Sequence, residues 1–132
     1  MPVYKAGDMQ ATPDIKNPNM KMVQFGGELI KVGIVTYQEG EGPPPHYHPN
    51  DEQYVYVLEG RAVHINGDEL IPIGPGDLIH IPRNTVHGMR VLEGPYRFFS
   101  CKSPAGSGKL SEDYTDVPNV ADLQKRLAEF VG

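Results

Sequence analysis

The chain has 132 residues, with 12 basic and 17 acidic side chains and a net charge of -5, enough for one ordinary domain with its own core. The acidic balance argues against a nucleic-acid backbone or an anionic membrane surface as main partner, and no apolar run approaches the roughly 18 residues of a membrane-spanning helix. Cys101 is the only cysteine and the first ten residues lack the apolar stretch of a signal peptide, so a cytoplasmic protein without disulfides is expected.

Residues 1–19 are polar and punctuated by proline, and are expected to form an arm with little structure of its own. Runs of branched and aromatic residues follow at 20–25, 29–38, 53–59, 61–65, 70–73, 77–81, 86–92 and 96–102. Glycine and proline bound them, and no segment of helical period separates them. This pattern predicts antiparallel strands that close into a sandwich or barrel over residues 20–103. Asn66-Gly67-Asp68 reads as a hairpin turn with two positive φ values, and Gly74-Pro75-Gly76-Asp77 as a second sharp turn. The period changes in the tail. Val120, Leu123, Leu127 and Phe130 recur three or four apart, the stripe of an amphipathic helix over 119–131. Asn119 is placed as its N-cap, Asp122 favours the positive N-terminus, and Gly132 ends it. The helix is expected to lie over one face or edge of the barrel.

The stretch from Pro43 to Gly60 carries the chemistry. His46 and His48 stand one residue apart behind Pro43, Pro44 and Pro45, which favour extended backbone. On an extended chain both imidazoles point to one face, with Tyr47 on the other. Two rings held a strand step apart suit a metal ion better than a packed core. His87 follows the turn at Pro82. His64 and His80 lie alone within strands and read as surface or half-buried residues with hydrogen-bond partners.

Gly40, His46, His48 and Gly60 fall into the frame of the first cupin motif, and Gly76, Pro82 and His87 into that of the second. Over residues 40–87 the chain therefore resembles the cupin family. The resemblance implies an all-β fold, a single antiparallel jelly-roll barrel with a short C-terminal helix, and one domain spanning 1–132. It also implies a divalent metal on His46, His48, His87 and a fourth ligand. Asn84 stands where the family has glycine, and asparagine tolerates the left-handed conformation a tight turn needs. The fourth position falls on Gln53 or on Glu52, depending on which end of the motif is counted from. Adjacent strand residues face opposite ways. With Gln53 inward, Val55 and Val57 line the interior while Tyr54, Tyr56 and Leu58 face out, which favours Gln53. With Glu52 inward, Tyr54 and Tyr56 turn toward the barrel as candidate acid–base groups.

His46, His48, Gln53 and His87 form a neutral donor set, which leaves a divalent ion its full charge and favours an anionic ligand. Zn, Ni, Fe, Mn and Cu all suit it. The segment from His46 to Gly60 is also similar to the small cupins of pectin and uronate degradation, which use His, His, Gln and His on the metal and linearise unsaturated uronates. Their acid–base aspartate and substrate-holding arginine have no counterpart between 98 and 109. Lys102 is read as a solvated strand-end lysine, with a cation for an anionic substrate as the alternative. Cys101 is read as a small buried hydrophobe, and Met89 as a pocket or core residue on His87's side of its strand. The expected function is a metal-dependent isomerase or lyase acting on a small anionic or sugar-like molecule. A metal-dependent dioxygenase and a non-catalytic small-molecule-binding barrel are the alternatives. The family resemblance further implies a homodimer.

Overall fold

A computed structural model describes residues 1–131. The elements are a 3-10 turn at Ala6–Asp8, β1 (Thr12–Pro13), β2 (Lys21–Gly26), β3 (Lys31–Tyr37), β4 (His46–Tyr47), β5 (Glu52–Asn66), β6 (Glu69–Ile73), β7 (Leu78–Ile81), β8 (His87–Ser103), β9 (Thr115–Asp116) and α1 (Val120–Glu129). The spine is one antiparallel ladder between β5 and β8, running from Glu52 opposite Ser103 to Asn66 opposite His87. On its far side β5 takes β7 along Gln53–Tyr56 and β6 along Ala62–Asn66. On its own far side β8 takes β3, which carries β2 and then β1, while β4 joins beside His87 and β9 follows β4. The sheet curls around a core that includes Met22, Val35, Val55, Val57, Ala62, Met89, Val91, Tyr96 and Phe98. This is the all-β antiparallel jelly-roll barrel with one C-terminal helix predicted from the sequence. Among the described residues no helix is long and apolar enough to cross a membrane.

Two pairs of predicted strands are each one strand. Residues 53–59 and 61–65 join through Gly60, and 86–92 and 96–102 through Gly94-Pro95. The ladder shifts register between Val57 and Ala62, and the irregularity reverses which residues face inward, as a bulge does. Before it Gln53, Val55 and Val57 point to the barrel interior. After it Ala62 and His64 do, while Val63 and Ile65 turn outward beneath the helix. β8 reverses in the same way, with His87, Met89 and Val91 inward, then Tyr96, Phe98, Ser100 and Lys102. Bulges therefore let one ladder serve two apolar interiors.

The second interior lies under α1, where Leu123 and Leu127 are buried against Val63, Ile65 and Val117, flanked by Val120 and Phe130. The predicted stripe is the packed face. Asn119 precedes the helix, but its φ of -101° and ψ of 32° are not the extended values of a side-chain cap, and it makes no cap bond. At the other end Arg90 of β8 donates from Nε to Leu127 O (2.8 Å) and from Nη2 to Phe130 O (3.0 Å). Gly132, expected as the stop, lies outside the described residues.

Three further expectations change. The arm over residues 1–19 is partly ordered by pairing, since β1 joins β2 and Asp14 accepts from the backbone N–H of Lys16 and Asn17. Strands also extend beyond 20–103, at β1 and β9. The β5–β6 hairpin turns on Gly67-Asp68, and only Gly67 has positive φ, at 64°. Asn84 does adopt the left-handed conformation, at φ 63°.

Gly60 has φ 82°, and a Cβ there would collide with the carbonyl oxygens of Pro95 and Glu93. Gly60→Ala is therefore expected to lower unfolding stability by about 2–3 kcal/mol, read as a reduced midpoint in urea.

Candidate metal centre

The pairing of β4 with β8 sets His46 directly opposite His87, and His48 follows two residues beyond His46. Ring centroids lie 4.9 Å apart for His46 and His48, 4.3 Å for His46 and His87, and 5.0 Å for His48 and His87. One ligand-capable nitrogen from each ring falls within 4.8 Å of the others, and all three residues are buried. Each Nδ1 sits against a backbone carbonyl: His46 on Pro44 O at 2.7 Å, His48 on Asp113 O at 3.0 Å, His87 on Thr85 O at 2.9 Å. A carbonyl can only accept, so each Nδ1 carries the proton and each Nε2 keeps its lone pair. The prolines before His46 thus supply an oxygen that aims the ring as well as an extended backbone.

Burial, then His87, pushes the pKa of His46 down to about 2. Burial, then Lys102, takes His48 to about 3, and burial takes His87 to about 4. All three rings are neutral in ordinary buffers, the form in which imidazole binds a metal. Three neutral, converging, buried imidazoles fit a divalent transition metal by their donor chemistry.

Gln53 lines the same cavity, and its Nε2 donates to Ser100 Oγ at 2.8 Å, which leaves the amide oxygen as its metal-type donor. Glu52 is exposed and pairs with His80 at 2.6 Å on the outer surface. Tyr54 and Tyr56 are 45% and 44% exposed, and Tyr54 stacks on His80 at 4.5 Å. The strand register therefore faces Gln53, and neither Glu52 nor the tyrosines, toward the histidines. His64 also lines the cavity, outside the three-nitrogen cluster; it is buried, against the half-buried expectation, with Nε2 2.9 Å from Tyr96 Oη. Met89 serves both cavity wall and core, whereas Cys101 is half-exposed rather than buried.

Lys102 is the main correction: it is 1% exposed, and Lys31 is 0% exposed. Both ammonium groups approach the same Oδ2 of buried Asp51, Lys31 at 2.8 Å and Lys102 at 3.2 Å. Lys31 also meets Glu112 at 2.6 Å, and Lys102 donates to Leu110 O at 2.7 Å. Burial pulls the pKa of Lys102 down to about 8, with Asp51 opposing. These contacts hold the segment from Leu110 to Tyr114 against the histidines. Asp113, at φ 66°, gives its carbonyl to His48 and its carboxylate to the backbone N–H groups of Asn50 and Asp51. Tyr114 stacks on His46, with centroids 3.9 Å apart and planes 15° from parallel, and donates to Pro44 O. Sequence reasoning missed this segment because it has no periodicity. The available signal was two strand lysines of inward parity with an aspartate three residues after His48.

A curled antiparallel sheet with a buried histidine trio defines a class, the small β-barrel with a site suited to a metal ion. The chain belongs to the cupin family, whose Cupin domain model matches residues 33–100. Over 103 residues it is 30% identical to the polyketide synthase CurC of Streptomyces cyaneus, covering 76% of this chain and 66% of that protein. Over 53 residues it is 36% identical to quercetin 2,3-dioxygenase of Bacillus subtilis (strain 168), covering 40% of this chain and 16% of that one. The chain thus spans less than two thirds of the length of either relative. Among solved structures, KdgF from Halomonas sp. superposes with a TM-score of 0.72 at 22% identity, over 79% of this chain and 94% of that one, which is a likeness of fold.

His48→Ala and His87→Ala should each lose stoichiometric metal binding in a folded barrel, while His80→Ala keeps it, as metal analysis of the purified variants would show. Asp51→Ala leaves two buried ammonium groups sharing no buried carboxylate, and is expected to cost about 3–5 kcal/mol of stability in urea unfolding.

Proposed function

We propose that this cupin is a metal-dependent enzyme that moves a proton next to a carbonyl or carboxylate group of a small molecule, in the manner of an isomerase, lyase or cyclase. The observation that carries this reading is the convergence of three neutral imidazoles in a cavity otherwise walled largely by apolar side chains, among them Val35, Val55, Ile81 and Phe98. A divalent ion held by His46, His48 and His87, with the Gln53 amide oxygen as fourth donor, would supply Lewis-acid polarisation of a substrate oxygen.

The chain's own residues set the selectivity. Their neutral donors leave the ion's charge undiminished, and the Lys102 ammonium in the cavity wall adds to the positive potential, so an anionic oxygen is favoured. The apolar walls exclude water and suit a carbonyl compound with hydrophobic surface better than a fully hydroxylated sugar. At the inward positions of the last long strand stand Ser100 and Lys102, so the aspartate and arginine of the uronate-linearising cupins have no counterpart there. Similarity to a relative named for polyketide synthesis agrees with a substrate rich in carbonyl groups. Similarity to a quercetin dioxygenase favours a second reading, oxygenase chemistry on an Fe-loaded centre.

Deuterium exchange tests the first reading. Protein loaded with Zn, Ni or Mn is incubated in heavy water with a panel of 1,3-dicarbonyl compounds and 2-keto acids, and exchange beside the carbonyl is followed by NMR. Exchange is expected in the wild type and its loss in His48→Ala. Gln53→Glu should bind metal as tightly or more tightly by calorimetry, yet exchange more slowly, because an anionic donor weakens the Lewis acid. Absence of exchange with every one of these metals, together with oxygen consumption by the Fe(II) form, would establish the second reading instead.

A further inference from the structure

Among the described residues, two buried side-chain polar atoms have no hydrogen-bond partner, Asp51 Oδ2 and Tyr37 Oη. The first is met by two ammonium groups, and the second has no such compensation. Tyr37 ends β3 on the inward side it shares with Val35; it is 1% exposed and forms part of the wall of the histidine cavity. Phe98 stacks on its ring, with centroids 6.5 Å apart and planes 20° from parallel. A buried tyrosine hydroxyl ordinarily finds a partner. Phenylalanine would fill the same space without leaving a donor unpaired, so packing alone does not account for the hydroxyl. A resident water would need about two to four polar contacts, whereas Met20, Val35, Val55 and Phe98 make much of the cavity wall apolar.

We propose that Tyr37 is a substrate-binding residue whose hydroxyl donates to a neutral keto oxygen of a small monoanion, while the anionic oxygen of the same molecule sits at the histidine end. The charges around the cavity are arranged in that sense. With an ion on the three rings, and with Lys102 Nζ 3.5 Å from His48 Nδ1, one end is positive. Around Tyr37 the charges are acidic. Glu41 accepts from the backbone N–H of Gln38, the next residue, and Asp14 accepts from the hydroxyl of Ser111 in the cavity wall. Burial, then Tyr114, Asp14 and Glu41, raises the pKa of Tyr37, so the phenol keeps its proton. A protonated phenol in acidic surroundings donates to a neutral acceptor and disfavours a second carboxylate. A site with such a buried donor rejects a ligand that lacks the acceptor, because the donor is then left unpaired. The inference rests on the metal site proposed above and not on proton transfer.

Calorimetric titration of the Zn-loaded full chain tests it, with 4-oxopentanoate, 5-oxohexanoate and 6-oxoheptanoate set against the plain alkanoates of equal length. At least one keto acid is expected to bind about 10-fold more tightly than its alkanoate. Tyr37→Phe should abolish that preference while leaving alkanoate affinity and metal content unchanged. Ligand-free, it should be no less stable than the wild type in urea, because the hydroxyl it removes has no partner in the chain. Diacids of the same length should bind more weakly than the preferred keto acid. A wild type with no preference for any keto acid overturns the proposal, as does a Tyr37→Phe variant that keeps the preference. A ligand-free Tyr37→Phe less stable than the wild type also overturns it, because an enclosed water must then already satisfy the hydroxyl. A diacid preferred over every keto acid overturns it too. The titration needs no turnover, so absence of deuterium exchange beside a retained Tyr37-dependent preference would refute the proton-transfer reading alone.

Discussion

Two lysine ammonium groups, those of Lys31 and Lys102, are taken out of water against the one buried carboxylate of Asp51, and this ion cluster holds in place the segment that completes the histidine site. Withdrawing each ammonium from water costs several kcal/mol. The cost is offset only because Asp51, Glu112 and the carbonyl of Leu110 are all brought to the same spot. That requirement fixes residues 110–114 beside the barrel. The same segment then presents the Asp113 carbonyl to His48 and the Tyr114 ring to His46. Charge burial in one place thus becomes ring orientation in another.

The ladder between β5 and β8 supplies the second constraint. A regular strand can bury only every other side chain on a given side. The bulged stretches around Gly60 and Gly94-Pro95 reverse the alternation partway along both strands. Gln53 and His64 can then both reach the cavity, although an odd number of positions separates them. The outward residues of the far half become the platform for the helix, and Arg90 of that half caps the helix end by holding its last carbonyls.

Features that rest on local period and turn chemistry were legible in the sequence. Branched runs marked the strands, two-residue spacing put His46 and His48 on one face, and alternation along 53–57 separated Gln53 from Glu52. Asn84 was readable because few residues tolerate its backbone conformation. Features that rest on partners remote in the chain were not. Gly60 and Gly94-Pro95 look like turns until the opposite strand is seen to bulge with them. Lys102 reads as a solvated strand end unless Asp51 and the carbonyl of Leu110 are known to lie beside it. His64 reads as ordinary until its ring is found against the Tyr96 hydroxyl, and Asn119 reads as a cap although the helix begins without its side chain.

The contacts that pin residues 110–114 also bear on how the protein assembles. Asp14 and Ser111 are 97 positions apart, Lys31 and Glu112 81, and His48 and Asp113 65. Loops of such length close late, after local hairpins have formed, because their entropy must be overcome before any contact rewards it. A chain with its barrel strands paired but this closure unmade would hold three imidazoles near one another without a fixed tautomer on His48. The fixed tautomer of His48 therefore depends on a closure that ties the chain together from residue 14 to residue 114.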